Sequence, residues 1–144
     1  MDRSSRGVVS LEFVFILPLI VGLFYGGAVY GVLFLNKLEM QRAVDMASTS
    51  VFHLDRRKFS QFGDEVVDHS EDALQGLVAG LPDRIRKHLT EQACENVSTG
   101  GVTLVECRLR AVSEEPFLPQ LNLGFLGRFP PQPQELSARA AVAF

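Results

Sequence analysis

The sequence predicts an α+β chain: a long N-terminal membrane-spanning helix that runs on into a small soluble domain of about two further helices and an antiparallel strand pair. Three observations predict it. Residues 13–35 carry no charge and are rich in Leu, Val, Phe, Ile and Gly. Apolar residues then recur every three or four positions through two further segments, and two later segments alternate strictly between apolar and polar. The expected divisions are residues 1–7 as a leader, 8–35 as the membrane or assembly helix, and 36–144 as the domain.

The first element follows from length and solvent. About 20 apolar residues in a helix cross a hydrocarbon core of roughly 30 Å, and residues 13–35 exceed that. A chain of 144 residues has room for one modest core besides this run, too little to bury such a helix in soluble protein. The apolar core of a secretory signal peptide runs only about 7–15 residues, so the stretch is too long for one. No Cys follows it to accept a lipid. Arg3 and Arg6 precede it and Lys37 and Arg42 follow it, which leaves the positive-inside count balanced.

The helix is expected to continue beyond the membrane. Met40, Val44, Ala47, Val51 and Leu54 recur at helical spacing while Lys37, Glu39, Arg42 and Asp45 take other faces. A helix from about residue 9 to residue 54 is close to 70 Å long at about 1.5 Å per residue, and its outer part bears an apolar stripe that needs a cover. After the basic break Arg56, Arg57, Lys58, the residues Phe59, Phe62, Val66, Ala73, Leu74, Leu77 and Leu81 fit a second amphipathic helix. Pro82 interrupts it, and Ile85, Leu89 and Ala93 predict a short third helix ending near Cys94.

Gly100 and Gly101 mark the change of period. In VTLVECRLRAV, Thr103, Val105, Cys107, Leu109 and Ala111 share one face, and Glu106, Arg108 and Arg110 share the other. LSARAAVAF alternates in the same way, with Leu136, Ala138, Ala140, Val142 and Phe144 together. Between these strands Pro116, Pro119, Pro130, Pro131 and Pro133 hold most of the seven prolines, in a long ordered loop or a flexible arm.

Charge and chemistry exclude several functions. Fourteen Lys and Arg are scattered among 17 Asp and Glu, for a net charge of -3, so no basic patch offers itself to nucleic acid. Asp64, Glu65, Asp68, Glu71 and Asp72 lack the loop and glycine of a calcium site. His53, His69 and His88 show no paired ligand spacing, and the gap from His88 to Cys94 puts the two on different helical faces. Neither a catalytic set, a metal nor a cofactor is expected, and the function is read as assembly rather than catalysis. Cys94 and Cys107 suit a disulfide outside the cytoplasm, or else two free thiols.

Glu12 is the most informative residue of the run. An acid inside a membrane helix costs a few kcal/mol at the centre and less near the interface, and near a helix N-terminus the macrodipole returns roughly 0.3–1 kcal/mol. One reading is therefore a capping carboxylate. The flanking residues offer another. Arg6-Gly7-Val8-Val9-Ser10-Leu11-Glu12-Phe13 resembles the cleavage region of type IV prepilins: a short charged leader ending in Gly, an apolar mature N-terminus, and Glu at its fifth residue. The resemblance implies a prepilin peptidase that cuts between Gly7 and Val8. The new ammonium of Val8 then lies one turn from Glu12 on the same helical face, and Glu12 acts as the register residue when helices stack.

A narrower resemblance covers the whole stretch. LEFVFILPLIVGLFYGGAVYGVLFLNKLEMQRAVDMAS is similar to the TadE-type minor pilins or pseudopilins of tight-adherence pilus systems, with the acid-aromatic pair Glu12-Phe13, Leu-Pro-Leu, a Gly-rich second half and a polar helical continuation. The match is looser over RLRAVSEEPFLPQLNLGFLG and LSARAAVAF, which resemble the family's strand, proline-rich loop with Pro-Phe, and final strand. It implies a single-pass protein of the bacterial inner membrane with a periplasmic C-terminal domain and entry into the pilus. The implied partners are other pilin helices, a prepilin peptidase, the inner-membrane assembly platform and membrane lipid. The alternative from another class is an uncleaved, membrane-anchored periplasmic scaffold of a secretion or envelope system. Gly22 with Gly26, and Gly27 with Gly31, are two small-xxx-small pairs that let neighbouring helices approach closely, or the ordinary glycine enrichment of membrane helices.

Overall fold

The computed structural model describes residues 5–59, 61–124 and 127–144, with side chains from residue 12 onward. Helix α1 (Ser5–Thr49) passes into a 3-10 turn, Ser50–His53, so the single rod is at least as long as its stripe predicts, and Pro18 lies inside it without ending it. A second 3-10 turn, Arg56–Lys58, follows at the basic break, with the Asp55 carboxylate accepting from the Arg57 N–H. Then come α2 (Phe62–Val78), the single-turn α3 (Asp83–Arg86), β1 (Leu89–Thr99), β2 (Val102–Val112), the short β3 (Leu121–Asn122) and β4 (Arg128–Phe129), and β5 (Glu135–Ala143).

The stripe is covered as its spacing requires. Met40, Val44, Ala47 and Val51 are buried and Leu54 packs at the rim. Their cover is α2, through Val66, Leu74 and Val78, and a three-stranded antiparallel sheet in the order β1-β2-β5. The two helices thus lie on one face of one sheet. That face is built by Val105, Cys107, Leu109 and Ala111 of β2 and by Leu136 and Ala138 of β5, all buried, which is the alternation read from the sequence.

The opposite face is a charged ladder. Arg108 pairs with Glu95 on β1 and with Glu106 on its own strand, and Arg110 pairs with Glu135 on β5 at 2.8 Å. The Arg110 guanidinium holds the Glu135 carboxyl below its usual value. The stabilisation is therefore present above the unfolded carboxyl pKa and lost as pH falls through the folded one. Both side chains are about half exposed, so solvent keeps it small.

One expected element is replaced. Residues 89–94, read as the end of a third helix, fall in strand β1, and α3 stops at Arg86. The helix-like spacing of Ile85, Leu89 and Ala93 is overridden by pairing with β2 along its whole length, in a register that sets Cys94 opposite Cys107. The two residues between the strands, Gly100 and Gly101, have φ of 61° and 82°. This positive-φ pair is what a two-residue hairpin requires, and glycine adopts it without strain.

The proline-rich segment is an ordered loop over its described residues. Gln132 clamps it, its amide accepting from the Leu118 N–H at 2.9 Å and donating to the Leu118 carbonyl at 2.8 Å. Gln120 donates to the Pro130 carbonyl at 2.8 Å. Within the loop β3 and β4 pair as a small hairpin, Leu121 opposite Phe129 and Asn122 opposite Arg128.

Candidate functional site

The long helix has two kinds of surface, and their division defines the candidate site. One side is a buried line, Gly26, Val29, Leu33, Asn36, Met40 and Ala43, spaced by three and four residues and covered by the rest of the chain. The rest of the helix, its far side and its N-terminal part, is bare: Phe13, Phe15, Leu19, Leu23, Phe24 and Phe34 are all strongly exposed. The most apolar stretch of the helix is only 11% buried. A core helix of a soluble protein hides such a stretch; this one presents it.

The covered side reaches well below the sheet. The Tyr25 hydroxyl donates to the Pro119 carbonyl at 2.8 Å, and the Tyr30 hydroxyl donates to the Pro131 carbonyl at 2.7 Å. These two bonds tie the proline-rich loop down along α1. The Phe129 ring completes the contact: a Cβ at Gly26 would stand 3.2 Å from its Cζ, so glycine here is what lets the ring lie against the helix backbone.

The predicted glycine pairs therefore separate. Gly26 is occupied by the chain's own Phe129, and Gly22 is half-buried beside the same hairpin with open space where a side chain would point. Gly27 and Gly31 are exposed, with nothing within 4 Å of a built Cβ, so that pair is free to receive a second helix. The predicted register residues Glu12 and Phe13 are exposed on the bare part of α1. Gly7 and Val8 have helical backbone within α1, but their side chains lie outside the described ones, as do residues 1–4 of the leader altogether.

Cys94 and Cys107 form a disulfide between β1 and β2. Both are buried in the core face of the sheet, and the Glu71 carboxylate of α2 accepts from the Cys94 N–H at 3.3 Å. The bridge belongs to the domain's framework and is remote from the bare helix. Among the described residues no group of His, Cys, Asp and Glu is arranged to hold a metal ion.

Sequence reasoning missed the loop contacts. Nothing in the periodicity of α1 distinguishes Tyr25 and Tyr30 from lipid-facing tyrosines, because what they meet lies about a hundred residues away in the chain. The one available signal was the apolar alternation of Leu121 and Leu123 among prolines and glycines, an unusual composition for a solvated loop. Asn36 was also unmarked. It sits in the buried line between Leu33 and Met40, and its Nδ2 has no hydrogen-bond partner among the described residues.

Comparison with curated proteins and with solved structures gives no match. A family model does match: residues 7–48 fit the one described as TadE-like protein. The matched segment takes in the charge-free run, Glu12, both glycine pairs and the buried stripe as far as Ser48, and ends where the α-helix gives way to the 3-10 turn. Over this helix, and over no more of the chain than that, the sequence is similar to TadE-like proteins.

Proposed function

We propose that the protein is a minor pilin or pseudopilin of a tight-adherence pilus system, anchored by α1, cut after Gly7 by a prepilin peptidase, and assembled through the bare side of that helix. The observation that carries the proposal is the TadE-like match over a helix whose apolar outer side the chain leaves uncovered. Such a helix has two environments open to it, lipid before assembly and other pilin helices after. Gly27 and Gly31 give it a close-packing face for the second.

Glu12 sets register in this scheme. In lipid its carboxyl is costly to insert, and in an assembly it needs a cation. Cleavage after Gly7 creates one, the α-ammonium of Val8, within reach of the Glu12 of a neighbouring helix. The domain is placed in the periplasm and the anchor in the inner membrane. The bridged cysteines support that side, because disulfides persist in oxidising compartments. The role is structural, in contact with other pilin helices and the inner-membrane assembly platform, and involves no catalysis by this chain.

Glu12→Ala tests the scheme. The expected result is a subunit that still inserts and folds but is absent from sheared fibres, with fibre yield falling as in a deletion strain. Normal incorporation of the variant contradicts the register role, and a parent protein that keeps its leader and is itself absent from the fibres favours an uncleaved, anchored scaffold.

A further inference from the structure

The hairpin formed by β3 and β4 lies against the charge-free run of α1. It packs beside residues 18–26 of α1, and between hairpin and helix runs an open apolar groove of about 630 Å³ lined by Pro18, Gly22, Leu121, Leu123 and Phe129. At about 1.5 Å per residue, the Gly26–Phe129 contact is roughly 20 Å along the helix from Phe13 and roughly 14 Å from Leu35. A bilayer core of roughly 30 Å laid on the charge-free run 13–35 therefore includes the level of the hairpin.

The hairpin is built for that level. Leu121 and Leu123 are 47% and 43% exposed, and they continue the bare apolar surface of Leu19 and Leu23 rather than turning inward. Several backbone groups of its described residues are satisfied from within, which is the condition for chain in lipid. The Leu123 N–H donates to the Gly127 carbonyl at 2.8 Å, the Gly127 N–H to the Gly124 carbonyl at 3.1 Å, and the Gly124 N–H to Asn122 Oδ1 at 3.1 Å. Gln120 spends its amide on the Pro130 carbonyl. Arg128 is exposed, with a side chain long enough to carry its charge toward the headgroups. The tyrosine bonds from α1 hold the loop at this height.

We propose that the β3–β4 hairpin is a second membrane element, inserted beside α1 from the domain's side to about the middle of the bilayer, with Leu121 and Leu123 among the acyl chains and the groove at Pro18 and Gly22 filled by one of them. The inference rests on the reading of α1 as a membrane anchor. It goes beyond that reading in assigning a lipid-contacting role to a loop of the domain. It also fixes how the domain stands on the membrane, since a helix held on one side by a hairpin cannot rotate freely under its domain.

The chain contains no tryptophan, so single substitutions report depth without background. Full-length protein carrying Leu123→Trp is reconstituted in phosphatidylcholine vesicles with and without bromine on the acyl chains, alongside Phe15→Trp on the bare anchor and Leu121→Trp as a second hairpin probe. Circular dichroism selects the folded variants. The expected result is that the hairpin probe loses emission to bromolipid as the Phe15→Trp probe does, emits at shorter wavelength than free tryptophan, and resists aqueous iodide. Quenching by iodide and not by bromolipid, while Phe15→Trp responds to bromolipid, overturns the inference and leaves the anchor standing. Shielding from both quenchers means that protein covers the hairpin and also overturns it. Failure of bromolipid to quench Phe15→Trp overturns the anchor itself, and the inference with it.

Discussion

Val44→Asp should unfold the domain while leaving the protein in the membrane. Val44 is fully buried on the stripe of α1 covered by α2 and the sheet. A carboxylate there has no cation to meet, and burying one unpaired costs several kcal/mol. A single small domain is stable by only about 5–15 kcal/mol. Limited proteolysis of the full chain should show residues 62–144 becoming sensitive, with the membrane-bound fraction unchanged. Met46→Asp supplies the contrast. It lies two residues further along the same helix but is 59% exposed, and a substitution of that kind changes stability by less than about 0.5 kcal/mol. Equal sensitivity of the two variants would contradict the assignment of faces.

The second large effect belongs to the disulfide. Cys94 and Cys107 are separated by 13 positions in sequence and pair directly across β1 and β2. Closing a loop of about that length stabilises by roughly 3 kcal/mol in the chain-entropy account. The double variant Cys94→Ala/Cys107→Ala should therefore melt roughly 10–20 °C lower than the parent, and a reductant should lower the melting temperature of the parent but not of the variant. A parent unaffected by reductant would mean that the bridge adds little to a hairpin already held by Gly100, Gly101 and the β1–β2 ladder.

What the sequence revealed depended on how local the signal was. The course of α1 and the residues it buries were legible because a stripe at 3.6 periodicity is written in one continuous segment, and Met40, Val44, Ala47 and Val51 all sit where that stripe puts them. Strands β2 and β5 were legible because strict alternation survives on a sheet with one charged face. Strand β1 was not. Its apolar residues are sparse, Ala93 and Leu89 stand at a helical interval from Ile85, and an edge strand of this composition is defined by its partner more than by its own propensity. Only the opposition of Cys94 to Cys107 carried a hint of the pairing.

The candidate site was legible in the same uneven way. Glu12, Gly27 and Gly31 were picked out by residue type, and they lie on the bare helix. Gly26 was picked out for the close approach of a neighbouring helix, and the group that approaches it in the structure is Phe129 of the same chain. That contact joins residues a hundred positions apart and has no periodic signature. The hydroxyls of Tyr25 and Tyr30 are hidden for the same reason, since each has its acceptor on the proline-rich loop. The helix is long and apolar enough to serve as a membrane anchor. Its coupling to the domain is tertiary and becomes visible only when the loop is seen lying against it.

The most direct measurement is the intact mass of the protein taken from membranes of a cell that produces it together with its pilus system. The account predicts a chain that begins at Val8 and lacks residues 1–7, because the cut after Gly7 creates the ammonium that makes Glu12 tolerable among packed helices. A mature protein that keeps residues 1–7, or that begins at an unrelated residue, contradicts it.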